Sequence, residues 1–219
     1  MGKSRLNIAA IEDSLRNLQT EFEQINKTLH TQRDHLSDSI VENMIAGYAY
    51  VNDAIVDDID LFTPDNSEHL LEMNHIVLCG LDPWLRVEYR SHIEATGRWF
   101  YERENSIHDV LRWYRRHQRD SVWKRAAGVY IQIVSRPQLY VEGNHRTGAL
   151  IMSYILCREG NAPFVLSVGN AKAYFDPSTL AKDTQKNLVT ELIKLPRIRK
   201  YFARFLQEQA NGECFYKLN

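Results

Sequence analysis

From Ala149 to Cys157 only Ser153 interrupts an apolar run. A helix that is apolar all round must sit inside a core and not on its surface. Gly160, Asn161 and Pro163 follow as stop signals, so the run predicts a buried helix ending near Arg158. It is preceded by Val141, Glu142, Gly143, Asn144, His145, Arg146, Thr147 and Gly148, a polar loop leading into its first turn. Backbone N–H groups at a helix start have no partner in the helix and carry partial positive charge, which suits them to phosphate. Gly143 lets a ligand approach the backbone closely. Arg146 adds a forked cation, and Glu142 is a hard carboxylate that a divalent metal could bridge to phosphates. The same residues also read as an Asn/Gly turn with a helix cap and a surface charge pair.

The rest of the chain predicts a mostly α fold. Ile8, Ile11, Leu15, Leu18, Phe22, Ile25, Leu29 and Leu36 form a heptad stripe, expected as a long amphipathic helix over residues 5–35. Its seam either folds back along the same bundle or serves as a homodimer or partner-helix surface. Residues 45–61 continue as helix, and turns are expected at Thr63–Ser67, Gly80–Trp84 and Asp176–Pro177. Val87–Tyr101 is rich in aromatic and β-branched residues and predicts a hairpin turning near Thr96 and Gly97. Thr184–Leu195 and Pro196–Glu208 are expected as closing helices, with a loose tail over residues 211–219.

Composition narrows the function classes. In 219 residues the formal net charge is −1, which gives no overall pull toward nucleic acid or anionic lipid. Arg112, Arg115, Arg116, His117 and Arg119 crowd one helix end, but acids surround them and no nucleic-acid motif accompanies them. Cys79, Cys157 and Cys214 are odd in number and scattered, which argues for a reducing compartment and against a metal site. No run reaches eighteen apolar residues and no leader pattern is present, so no membrane span is expected and the cytoplasm is the default.

The stretch Gln138, Leu139, Tyr140, Val141, Glu142, Gly143, Asn144, His145, Arg146 resembles the signature of the Fic/Doc family, His-x-Phe-x-(Asp/Glu)-(Gly/Ala)-Asn-(Gly/Lys)-Arg. Glu142, Gly143, Asn144 and Arg146 match, and Tyr140 supplies the aromatic. The approach at Ala126, Ala127 and Tyr130–Val134, and the downstream run Asn170–Phe175, are similar in layout. The resemblance covers residues 36–205, with residues 1–35 as a preceding helix and 206–219 as the end of the last helix and a tail.

Family members transfer AMP, or in Doc-like members phosphate, from a nucleotide to a hydroxyl on a target protein. The resemblance therefore implies a Fic-like helical bundle that binds ATP with Mg²⁺. Glu142 would hold the metal, and Gly143, Asn144, His145, Arg146, Thr147 and Gly148 would hold the phosphates. The hairpin (Ile93, Glu94, Ala95, Thr96, Gly97) would be the flap that pairs with a target segment as an added strand. Two positions depart from the family. Gln138 replaces the catalytic histidine, and a neutral amide cannot accept the hydroxyl proton; losing such a base typically costs about two to four powers of ten in rate. Ala149 stands where transferases often carry a second Arg, as it does in Doc-like members. His145 replaces Gly or Lys, as a phosphate contact, a displaced base, or a loop residue without a role. Asp38–Asn43 resembles the inhibitory Ser/Thr-x-x-x-Glu-(Gly/Asn) motif of some Fic proteins, which makes Glu42 either an autoinhibitory partner of Arg146 or one more solvated acid. The expected activities are thus weakened or lost AMP transfer, a non-enzymatic Fic-shaped binding module, or Doc-like phosphorylation.

Overall fold

A computed structural model of the chain describes residues 4–103, 106–187 and 190–217. Residues 1–3 of the N-terminal segment, 188–189 of the first expected closing helix and 218–219 of the expected tail lie outside the described residues. In chain order the elements are β1 (Ser4–Leu6), α1 (Ile8–Lys27), α2 (Asp38–Val56), α3 (Glu68–Cys79), α4 (Pro83–Glu88), α5 (Arg90–Glu102), α6 (Ile107–Arg116), α7 (Val122–Val134), α8 (Asn144–Arg158), α9 (Ala171–Lys182), α10 (Leu195–Gln209) and β2 (Phe215–Lys217). The fold is mostly α.

α8 is the expected buried helix, and every residue from Thr147 to Cys157 is out of solvent. Full burial of each large aliphatic side chain contributes about 1.5–3 kcal/mol relative to exposure, so this helix anchors the core. Small residues set its distance from its neighbours. A Cβ on Gly148 would lie 2.7 Å from Tyr130 of α7, and one on Gly47 of α2 would lie 2.4 Å from Leu150. α10 packs on the other side of α7, and α3 against α2 and α8.

The heptad stripe is buried within the same chain. α1 turns Ile11, Leu15, Leu18 and Phe22 inward, against α2 and α9. The seam is therefore not free for a second copy or a partner helix. The helix is also shorter than the stripe. Asn7 caps it, its side chain accepting from the Ala10 amide, and it ends at Lys27, beyond which Asn26 grips both backbone groups of Arg33 at 2.7 and 2.8 Å. Ahead of it, β1 pairs antiparallel with β2, Ser4 opposite Lys217, so the expected loose tail is strapped to the start of the chain.

Four further expectations are corrected. The flap hairpin is absent, because Ile93, Glu94, Ala95, Thr96 and Gly97 lie within α5. Ile93, Thr96 and Phe100 recur at helical spacing, Thr96 and Phe100 are buried, and Arg90 pairs with Glu94 one turn on, at 3.0 Å. Aromatic content misled the reading where periodicity decides. Pro177 is inside α9 and does not end it. A proline there cannot bond the carbonyl four residues back, and Tyr201 Oη of α10 donates to that carbonyl, Ala173 O, at 3.1 Å. Thr184–Lys186 is extended and bonds both backbone groups of Arg136, and only one wide turn over Thr190–Lys194 precedes α10. α2 also stops at Val56, short of residue 61.

Candidate functional site

The loop before α8 owes its shape to two asparagines. Asn144, the first helical residue, is buried and folds its amide back on the loop: Oδ1 accepts from the Tyr140 amide at 2.9 Å and Nδ2 donates to Tyr140 O at 2.8 Å. It braces the loop from within. Asn74 of α3 does the same from outside, its Nδ2 donating to Glu142 O at 2.9 Å and to Thr147 Oγ1 at 3.0 Å. Nothing in the sequence marked Asn74 except a lone amide in the apolar stripe of its helix. Gly143 takes a left-handed conformation, φ 72°, where a Cβ would crowd Asn74 Nδ2 at 3.0 Å.

The helical ladder begins with Thr147 N bonded to Gly143 O at 2.9 Å. The amides of Asn144, His145 and Arg146 therefore precede it, and no side chain caps them. A cavity of about 290 Å³ opens at this turn. Gly143, Asn144, His145, Arg146 and Ala149 form one side of it, and α1, α2, α9 and the segments beside them form the rest. Its walls are mainly apolar, with Phe22, Met44, Phe164 and Phe175 among them and Arg33 and Asp34 as polar exceptions. Thr147 and Gly148 lie elsewhere. Both are buried, Thr147 bonded to Asn74 and Gly148 against Tyr130. They shape the helix packing and leave ligand contact to the preceding turn.

Arg146 is partly buried. Its Nη1 donates to Val77 O at 2.6 Å, one of five N–H groups on the guanidinium. Burial lowers its pKa and Glu142 raises it, and an arginine so placed stays charged. His145 is a different kind of group. Its Nδ1 lies 2.8 Å from Tyr130 Oη. Burial, then the positive charges of Arg33 and Lys182, push its pKa down to about 3, so the ring is neutral at physiological pH. A group that holds protons so poorly is a weak general base.

The remaining expected site residues lie apart from this cavity. Gln138 lines a separate cleft of about 450 Å³ with Trp99, Arg103 and Lys186. Its side-chain nitrogen donates to Val134 O at 3.1 Å, and its backbone carbonyl accepts from Trp99 Nε1 at 3.1 Å. Glu42 is exposed and its nearest cation is Arg16, 3.9 Å away, so it makes no inhibitory pair with Arg146. Glu142 is exposed and does not line the cavity. Magnesium is commonly held by one or two carboxylates completed by water and phosphate. Glu142 is near enough to Arg146 to raise its pKa, and among the described residues no three His, Cys, Asp or Glu gather as a metal site.

Among the described residues no helix is long and apolar enough to cross a membrane. Comparison of the chain with models of protein families, with curated proteins and with solved structures finds no match.

Proposed function

We propose that this chain is a Fic-like binding protein that holds a phosphate-bearing ligand of the nucleotide class at the start of α8 and has lost the transfer reaction. One observation carries the reading: an uncapped helix start, the Arg146 guanidinium and a mainly apolar cavity meet at one place. The amides of Asn144, His145 and Arg146 and the free N–H groups of Arg146 take the phosphate, and the apolar walls take the rest of the molecule. The volume is at the low end of small-molecule sites, which run from about 300 to 1,000 Å³. It suits a compact ligand such as a nucleoside monophosphate better than an extended triphosphate.

The same geometry supports the reading that transfer is lost. Gln138 supplies no base and stands in another cleft, while Glu142 stands outside the cavity wall. Calorimetry with ATP, ADP and AMP, each with Mg²⁺ and with EDTA, tests the reading. Binding is expected to be indifferent to Mg²⁺ and to fall at least about tenfold in Arg146→Ala, the scale of one lost charge-assisted hydrogen bond. If no nucleotide binds, the second reading takes over, a Fic-shaped module that binds protein. That reading is favoured by the exposed apolar side chains of Leu81, Trp84 and Val87 around α4.

A further inference from the structure

A cleft of about 460 Å³ lies between α6, α7 and the start of α10, and it shares no lining residue with the α8 cavity. Three guanidiniums line it, Arg112 and Arg116 from α6 and Arg199 from α10, against one carboxylate, Asp109. That leaves two net positive charges on the lining, in a chain whose formal net charge is −1.

The fold itself makes little use of these cations. Arg112 has Asp109 at 3.2 Å, with both side chains well exposed, and such pairs contribute little. Arg199 Nη1 reaches Asp120 at 3.5 Å, the long limit of a hydrogen bond. Arg116 makes no hydrogen bond or ion pair among the described residues. Arg112 and Arg116 stand one turn apart, a spacing at which like charges destabilise a helix. The dipole of α6 favours Arg116 in its last turn, but it does not bring Arg199 from another helix to the same cleft. Each guanidinium has five N–H groups, so most of these donors are free.

The base of the cleft is tightly packed. The tip of the Trp113 indole rests on the α7 backbone at Gly128, where a Cβ would lie 1.8 Å from Cη2. The His117 ring stacks on the indole, with centroids 3.9 Å apart and planes at 14°, and its Nδ1 donates to Trp113 O at 2.8 Å. Arg199 lies over the same indole, its Cζ 5.7 Å from the ring centre.

We propose that this cleft is a second ligand site and takes a phosphate monoester dianion, held by the forks of Arg112, Arg116 and Arg199. Arginine presents paired N–H groups that match phosphate oxygens. A phosphate monoester carries about −1.5 to −2 charge near neutrality, which balances the lining. A monocarboxylate leaves one positive charge unanswered, and a cation is repelled. The two aromatic rings of the lining are stacked on each other, so recognition falls to the phosphate and not to a nucleobase. Such a group arrives either on a free metabolite or on a phosphorylated side chain.

Glycerol 3-phosphate stands for the first source and N-acetylphosphoserine amide for the second, with acetate as the control. Each is titrated into the full chain at low ionic strength while the indole N–H of Trp113, assigned through Trp113→Phe, is followed by NMR. Both phosphate probes are expected to bind at least about fivefold more tightly than acetate, the scale of one further hydrogen bond, and to move the Trp113 signal. The tighter of the two identifies the source. Arg116→Gln should weaken both by at least about tenfold, the scale of one hydrogen bond to a charged group. Arg90→Gln removes the same charge from α5, outside the cleft, and should not. Arg116 is exposed, so its substitution spares the core. Acetate binding as tightly as the phosphates, equal losses in the two variants, binding that leaves Trp113 unmoved, or no binding at all would each overturn the proposal.

Discussion

The side-chain nitrogen of Asn74 lies 3.0 Å from Thr147 Oγ1, and the same atom reaches the Glu142 carbonyl at 2.9 Å. One amide thus ties α3 to the loop and the first turn of α8, where the cavity opens. Asn74→Leu keeps the volume and removes the tie. It is expected to lower stability by about 1–3 kcal/mol, since buried groups lose their donor, as read from urea unfolding. An unchanged midpoint would show that the loop holds its shape by itself.

His145 makes stability depend on pH. Its folded pKa, about 3, lies below the usual imidazole value of 6.5, so between these values the unfolded chain binds the proton and the folded chain does not. The contribution of the neutral ring is fully present above pH 6.5 and is lost as pH falls toward 3. The loss amounts to about 2 kcal/mol between pH 7 and pH 5. In His145→Gln that part of the pH dependence should disappear, and parallel curves for the two proteins would refute the assignment.

Two glycines should respond oppositely to alanine. At Gly148 the added methyl meets Tyr130, and a loss of about 1–3 kcal/mol is expected. Gly97 sits in the middle of α5 with only Leu71 Cδ2 near the new methyl, at 4.0 Å. Gly97→Ala should therefore gain about 0.5–1 kcal/mol from helix propensity. A loss at Gly97 on thermal unfolding would mean that this segment turns there and is not helical.

A histidine at position 138 should not bring transfer activity. Gln138→His places an imidazole in the cleft of Trp99 and Lys186, apart from the turn of Arg146. With α-labelled ATP no label is expected to pass to protein, and a labelled product would overturn the reading that the reaction is lost. Glu42→Gly should likewise leave nucleotide affinity unchanged, since Glu42 faces Arg16.

What could be read in advance depended on how local the cause was. α8 was legible because its apolar run, Gly143 and the Gly160 stop are all written within it. The polar loop and uncapped first turn at its start were legible for the same reason. α5 was misread because its aromatics were weighed by type, whereas the decisive signal was the spacing of Ile93, Thr96 and Phe100. Pro177 passed for a turn because the hydroxyl that satisfies the carbonyl it frees comes from Tyr201, on another helix. The separation of Gln138 from the cavity is a long-range outcome that no spacing encodes.

The β1–β2 pairing has a consequence for synthesis. Ser4 finds its register partner in Lys217, so a ribosome that has not yet released Phe215–Lys217 carries a chain whose first strand has an open edge. Unpaired strand edges invite association with other chains. Closure of the fold therefore waits on nearly the last residues of this sequence, and the growing polypeptide must stay unentangled until they emerge.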